Sequence, residues 1–154
     1  SEKVDEKLWD KILDTNLKGA FFSSQCFASQ LKKNNKSGSI INLGSLSSSI
    51  GIPTAVAYTS SKAGILGMTK ALSSEWASDN IRVNAIAPGY FRTDLTEVFY
   101  KDDNWQKNML AKIPMKRFGN MEDLHGVAIL LASDASSYIT GQIIYIDGGF
   151  ISSI

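Results

Sequence analysis

The chain has 154 residues, 44% of them hydrophobic and 20% charged, with a formal net charge of +1. That length suits one domain with a core of useful size, and the near-neutral balance gives no electrostatic case for nucleic acid or an anionic membrane. No apolar run reaches the roughly 18 residues of a membrane-spanning helix, no secretory signal opens the sequence, and one cysteine (Cys26) with one histidine (His125) allows neither an internal disulfide nor a zinc cluster and suits the cytoplasm.

Residues 5 to 33 read as a helix. Leu8, Ile12, Thr15/Asn16, Gly19/Ala20, Ser23, Phe27 and Leu31 recur at spacings of three and four. Asp5 and Glu6 stand near its positive end. Asn34 to Gly38 is a loop by composition, and Ser39 to Leu43 is a short, mostly apolar strand. Gly44 to Pro53 is rich in Gly and Ser. Ala55 to Ala77 is a second long helix with an apolar stripe of Ile65, Met68, Leu72 and Trp76. Its other face, at Ala63, Gly64 and Gly67, lets a neighbour approach closely.

Ile81 to Ala87 is a second strand, stopped by Pro88-Gly89. Residues 90 to 118 are irregular, with a short helix over 105 to 112, and suit a substrate loop or lid. A third helix runs from Met121 to Ser133, with Met121, Leu124, Val127 or Ala128, and Leu131 on one side and Asn120 as its cap. Gln142 to Ile146 is a third strand, ended by Asp147-Gly148-Gly149. Strands alternating with helices predict an α/β fold: a Rossmann-like parallel sheet with helices on both faces. Ligands of such sheets bind beyond the carboxyl ends of the strands. Ser45, Pro88-Gly89 and Asp147-Gly148 lie at such ends.

Three groups there can do chemistry. Tyr58 and Lys62 stand four apart and share one helix face. An ammonium beside a phenol favours the phenolate, as a general acid/base needs. The same spacing also occurs on plain amphipathic helix surfaces. Ser45 follows a buried strand and can donate to a substrate oxygen that also meets the Tyr58 hydroxyl, stabilising developing alkoxide charge. A serine-nucleophile hydrolase is disfavoured: Gly44-Ser45 is not a G-x-S-x-G elbow, and His125 sits in mid-helix as a surface or packing residue. Asn16 is a polar residue inside the first helix. Pro88-Gly89 allows close backbone approach to a ligand, and Thr93 can donate to a carboxamide or phosphate.

Together these residues resemble the short-chain dehydrogenase/reductase family. The resemblance rests on Asn16-Leu17-Lys18-Gly19, Ile41 to Ser45, Tyr58 to Gly64, Arg82 to Gly89 with Thr93, Arg117-Phe118-Gly119, Leu130 to Ser133, and Thr140 through Gly149. It spans nearly the whole chain in the family's order. The resemblance implies an NAD(P)-dependent oxidoreductase. Tyr58 is then the catalytic acid/base. Lys62 binds the nicotinamide ribose and eases Tyr58 deprotonation. Ser45 orients the substrate carbonyl, and Asn16 bends its helix and holds a water in a proton relay. Pro88, Gly89, Thr93 and the backbone of Phe91 contact the nicotinamide end.

The family's opening strand and Gly-rich pyrophosphate turn have no counterpart here, nor does the segment that selects NAD over NADP. Residues 1–154 are therefore expected to be the C-terminal portion of a single Rossmann domain, inactive alone, with a raw sheet edge. Glu75-Trp76-Ala77, Asn80-Ile81 and Pro88 to Thr93 look most like sugar-acid members such as gluconate 5-dehydrogenase. 3-Oxoacyl-carrier-protein reductase and a non-catalytic remnant are the alternatives. Thr96, Glu97, Asn104, Gln106 and Asn108 are available to a hydroxyl-rich substrate. Family members imply a homodimer or homotetramer acting on a small carbonyl or alcohol, with NAD or NADP.

Overall fold

The computed structural model describes residues 1–94 and 96–153. The first helical pattern forms one rod whose middle is not α-helical. The Asp5 carboxylate caps it by accepting the Leu8 N–H at 2.7 Å. Helix α1 (Glu6–Leu13) passes into a π-helical stretch, Asp14–Lys18, and then into α2 (Gly19–Lys33). A π turn inserts one residue into the helical repeat, about 100° of rotation. The expected stripe is not buried in α1, where Leu8 is exposed and Ile12 only half-buried, and past the insertion Leu31 is its one member packed on the core. Beyond it the buried positions are Ser24 and Ala28, one residue after the predicted Ser23 and Phe27, and Phe27 is exposed.

Strands β1 (Gly38–Leu43), β2 (Ile81–Pro88) and β3 (Ile143–Ile146) form a parallel sheet in that order. Helix α3 (Val56–Trp76) packs on one face. Its Ile65, Leu72 and Trp76 are buried as the spacing predicts, and Met68 packs beside them. Ile40, Ile81, Val83, Ala28, Leu72 and Trp76 make that half of the core. Helix α5 (Glu122–Ala132) covers the other face. Ser39 Oγ donates to the Leu131 carbonyl at 2.6 Å, and the Arg82 guanidinium donates to Leu131 and Ser133 at 3.0 and 3.1 Å. Helices thus lie on both faces of a parallel sheet, as expected.

Three local expectations are corrected. Asn120 does not cap α5 through its side chain; the Asp123 carboxylate instead accepts the Asn120 N–H at 2.8 Å, because an Arg117 ion pair already fixes it there. Met121, expected on the packed side of α5, is exposed. On the small face of α3, Gly64 meets Leu17, but among the described residues nothing lies within 4 Å of a Cβ placed on Gly67.

Between β2 and α5, residues 99–118 pack around a cluster of rings. Helix α4 (Asp103–Lys112) starts where Asp102 accepts the Asn104 and Trp105 N–H groups. Trp105 stacks on Phe99 and Phe118 and meets Tyr90 and Tyr100 edge-on. Tyr90 adds an edge contact to Phe150. The outer edge of β1 differs: a groove of about 330 Å³ runs between it and α2, and Leu43 at its end is 60% exposed.

Candidate active site

Ser45 leaves the end of β1 in an extended conformation and caps a short 3-10 turn, Leu46–Ser48. Its hydroxyl accepts the Ser47 N–H at 3.3 Å. Leu46, Ser47 and Ser48 are buried, so the loop is part of the core and not a solvated connection. At its far side Ser49 hydrogen-bonds the Tyr145 hydroxyl of β3.

Tyr58 and Lys62 stand on the first turns of α3, and Lys62 meets this loop. The Lys62 ammonium lies 5.9 Å from the Tyr58 ring centroid and donates to the Leu43 carbonyl at 2.8 Å, two residues before Ser45. Lys62 is only 8% exposed, and burial pushes its pKa down. The Leu43 carbonyl and the Tyr58 ring are the groups the ammonium meets there. One hydrogen bond leaves two N–H donors of the ammonium for a ligand.

Asn16 falls in the middle of the π-helical stretch. The disturbed helix is thus found where the resemblance places a bend. Its Nδ2 donates to Ser61 Oγ at 3.1 Å, and Ser61 Oγ donates to the Tyr58 carbonyl at 2.7 Å. One buried hydroxyl therefore ties the Asn16 side chain to the residue expected to act as acid/base. A second chain of polar contacts runs beneath: Ser24 Oγ to Asn42, and Asn42 Nδ2 to Thr69 Oγ1 at 3.0 Å.

Pro88 ends β2, and Gly89 donates to the Ile146 carbonyl at 2.8 Å. A Cβ on Gly89 would stand 2.7 Å from the Asp147 backbone, so β2 and β3 leave the sheet side by side only with glycine there. Phe91 is buried against Gly119, with which it forms an isolated bridge, and its carbonyl accepts the Thr96 hydroxyl at 2.9 Å. Thr93 is also committed to this turn. Its N–H donates to Thr96 Oγ1 at 2.9 Å and its hydroxyl lies 3.0 Å from the same atom.

Several polar groups expected to be free for a substrate are engaged within the loop. Thr96 holds Phe91 and Thr93, Glu97 pairs with Arg92, and Gln106 donates to the Tyr100 carbonyl at 2.9 Å. Asn104 and Asn108 remain exposed. The sequence alone does not single out Ser48 or Ser61 as site residues. No motif marks Ser48 among its serine neighbours, whereas Ser61 could have been flagged by its place beside Lys62.

Asn16, Ser45, Tyr58 and Lys62 thus come from the π turn, the β1 loop and α3. Pro88, Gly89, Phe91 and Thr93 come from the end of β2. The donor set suits the nicotinamide ribose half of a dinucleotide: an ammonium with two N–H donors left and a phenol, beside a turn whose glycine keeps the backbone bare of a side chain.

The sequence profile of the family described as Enoyl-(Acyl carrier protein) reductase matches residues 1–151. The 2-dehydro-3-deoxy-D-gluconate 5-dehydrogenase of Dickeya dadantii is 44% identical over 97% of this chain and 59% of that protein. The 3-oxoacyl-[acyl-carrier-protein] reductase of Thermotoga maritima is 42% identical over 97% of this chain and 59% of that protein. The crystal structure of a gluconate 5-dehydrogenase from Burkholderia cenocepacia, in complex with NADP and tartrate, superposes with a TM-score of 0.96 at 32% identity. That match covers 99% of this chain and 60% of that one. The chain therefore spans about three-fifths of the length of the relatives it matches.

Proposed function

The chain belongs to the short-chain dehydrogenase/reductase family, and from that premise we propose that it carries the reacting end of an NAD(P)-dependent oxidoreductase. In this reading residues 1–154 are the C-terminal portion of one Rossmann domain. The reaction interconverts a hydroxyl and a ketone, on a sugar acid of the gluconate kind. The observation that carries it is the buried Lys62 ammonium, 5.9 Å from the Tyr58 ring and bonded at the root of the Ser45 loop.

Ser45 and Tyr58 hydroxyls hold the substrate oxygen. In reduction Tyr58 Oη gives up its proton to that oxygen, and in oxidation it takes the hydroxyl proton. Lys62 sets its positive charge beside the phenol and offers its spare N–H donors to ribose hydroxyls. Asn16 holds a water on the proton's route to solvent. Gly89, the Phe91 backbone and Thr93 line the nicotinamide. When bound, the nicotinamide supplies or accepts the hydride.

The relatives named for gluconate derivatives support the sugar-acid reading, and the Thermotoga protein supports a 3-oxoacyl-carrier-protein reductase as the second reading. Ala63 and Gly67, exposed on α3, suit a helix of a second copy in a homodimer or homotetramer. The test is turnover by the full-length protein with NADH and NADPH, on gluconate-type acids against a 3-oxoacyl thioester, alongside a fluorescence titration of both cofactors. Turnover on the hydroxy acid is expected. Turnover on the thioester alone selects the second reading, and binding of neither cofactor leaves a non-catalytic remnant.

A further inference from the structure

The Lys62 residue is tied to the Ser45 loop at both ends. Its ammonium donates to the Leu43 carbonyl at 2.8 Å. Its own carbonyl accepts a second bond, from Ser48 Oγ, at 2.7 Å. The same Ser48 oxygen accepts the Ser45 N–H at 3.1 Å. A closed circuit results: strand end to Lys62 ammonium, Lys62 carbonyl to Ser48 hydroxyl, Ser48 hydroxyl to Ser45 amide.

Ser48 is only 6% exposed, and its surroundings leave little slack. A Cβ on Gly44 would stand 3.2 Å from Ser48 Oγ and 3.4 Å from the Ile86 carbonyl. The chemistry of the position is narrow. The bridging atom must donate once, to a carbonyl, and accept once, from an amide. A hydroxyl does both with a single atom; an apolar side chain does neither, and a thiol does both weakly. Buried polar bonds of this kind are directional and costly to leave unmade.

We propose that Ser48 is a positioning residue for the reaction: its hydroxyl sets the backbone of Ser45 relative to Lys62, and so the Ser45 hydroxyl relative to Tyr58 one turn earlier on α3. Ser48 touches no reacting atom. It acts by keeping Ser45 and the Tyr58/Lys62 pair, which come from different elements, in one frame before substrate arrives. This inference rests on the oxidoreductase reading above.

The test uses the full-length protein with Ser48→Ala and Ser48→Thr. Two readouts are taken: hydrogen exchange at the Ser45 amide, and steady-state kinetics with the preferred cofactor and substrate. Ser48→Ala is expected to speed Ser45 exchange by about 10-fold, as for loss of one buried hydrogen bond. It is also expected to lower kcat by about 10- to 100-fold, the scale of a misplaced reacting group, with the cofactor KM within about 3-fold. Ser48→Thr keeps the hydroxyl and restores both. A purely structural serine would change the melting temperature and leave kcat of the folded protein alone. Ser45 exchange and kcat within about 2-fold of wild type in Ser48→Ala would overturn the proposal, as would a Ser48→Thr that folds and fails to rescue. Absence of any hydride transfer in wild type would instead overturn the functional reading, while the exchange readout would still decide whether Ser48 fixes Ser45.

Discussion

Two segments cover the carboxyl end of the sheet, and they differ in what chiefly holds them. Residues 44–62 are fixed by small hydroxyls: Ser48 between Ser45 and Lys62, Ser61 between Asn16 and Tyr58. Residues 99–118, with Tyr90, are held chiefly by rings: Trp105 against Phe99, Phe118, Tyr90 and Tyr100, while Thr96 ties the turn at Phe91 and Thr93 by hydrogen bonds. Hydrogen bonds set angles and distances, and groups that must converge on one reacting oxygen need both. Ring packing sets position through area and tolerates a change of partner far better. A cover over a substrate can therefore vary in sequence while the chemistry beneath it stays in place.

The contrast breaks most clearly at Lys62. Lys62→Met removes the ammonium and keeps much of the side chain's bulk. If the group acts on the phenol and on the ribose as proposed, kcat should fall by about 10²- to 10⁴-fold, the usual range for disabling acid/base catalysis, with the cofactor KM raised as well. Full-length kinetics check it, and a loss under 10-fold would place Lys62 outside the reaction.

Trp105→Ala should behave in the other way. The half-buried indole is the hub of the ring cluster, so its loss should destabilise the fold by about 2–4 kcal/mol, read by urea unfolding. Substrate KM should rise while kcat stays within about 3-fold. An equal fall in kcat with no rise in KM would show that the cover takes part in positioning the reacting groups.

The smallest effect belongs to the Arg117–Asp123 pair, which closes the ring segment at α5. The Arg117 guanidinium, and then the Asn120 N–H, hold the Asp123 carboxyl down to about 2, below its ordinary 3.8. A depressed acid stabilises the fold above its unfolded value and loses that contribution as pH falls through the folded one. The stabilisation is thus full above about pH 4 and fades toward pH 2. Asp123→Asn should melt no more than about 3 °C lower at neutral pH, as exposed pairs do, and the difference from wild type should vanish near pH 2.

What could be read in advance depended on how local its cause was. The β-branched runs of β1 and β2 and the stripe of Ile65, Leu72 and Trp76 are periodicities within one element, and they appear as read. Tyr58 and Lys62 share a face because four residues make a turn. The π turn at Asp14–Lys18 left no mark in composition, and it displaced the buried face of α2 from Ser23 and Phe27 to Ser24 and Ala28. Ser48 was hidden for a related reason. Four serines occur between positions 45 and 49, and only the fold shows which one reaches Lys62. Thr96, polar and in a loop, counts by sequence as available to a substrate, yet its hydroxyl is consumed by Phe91 and Thr93. Asn120 lost its capping role to a neighbouring carboxylate already oriented by Arg117.

The central claim is that the Tyr58 hydroxyl carries the proton in a hydride transfer between a hydroxyl and a ketone. Tyr58→Phe removes that one atom group and leaves the ring against which Lys62 rests. Measured in the full-length protein, cofactor binding by fluorescence titration should stay within about 3-fold of wild type, and turnover should fall by at least about 10³-fold. Turnover within 10-fold of wild type would contradict the account.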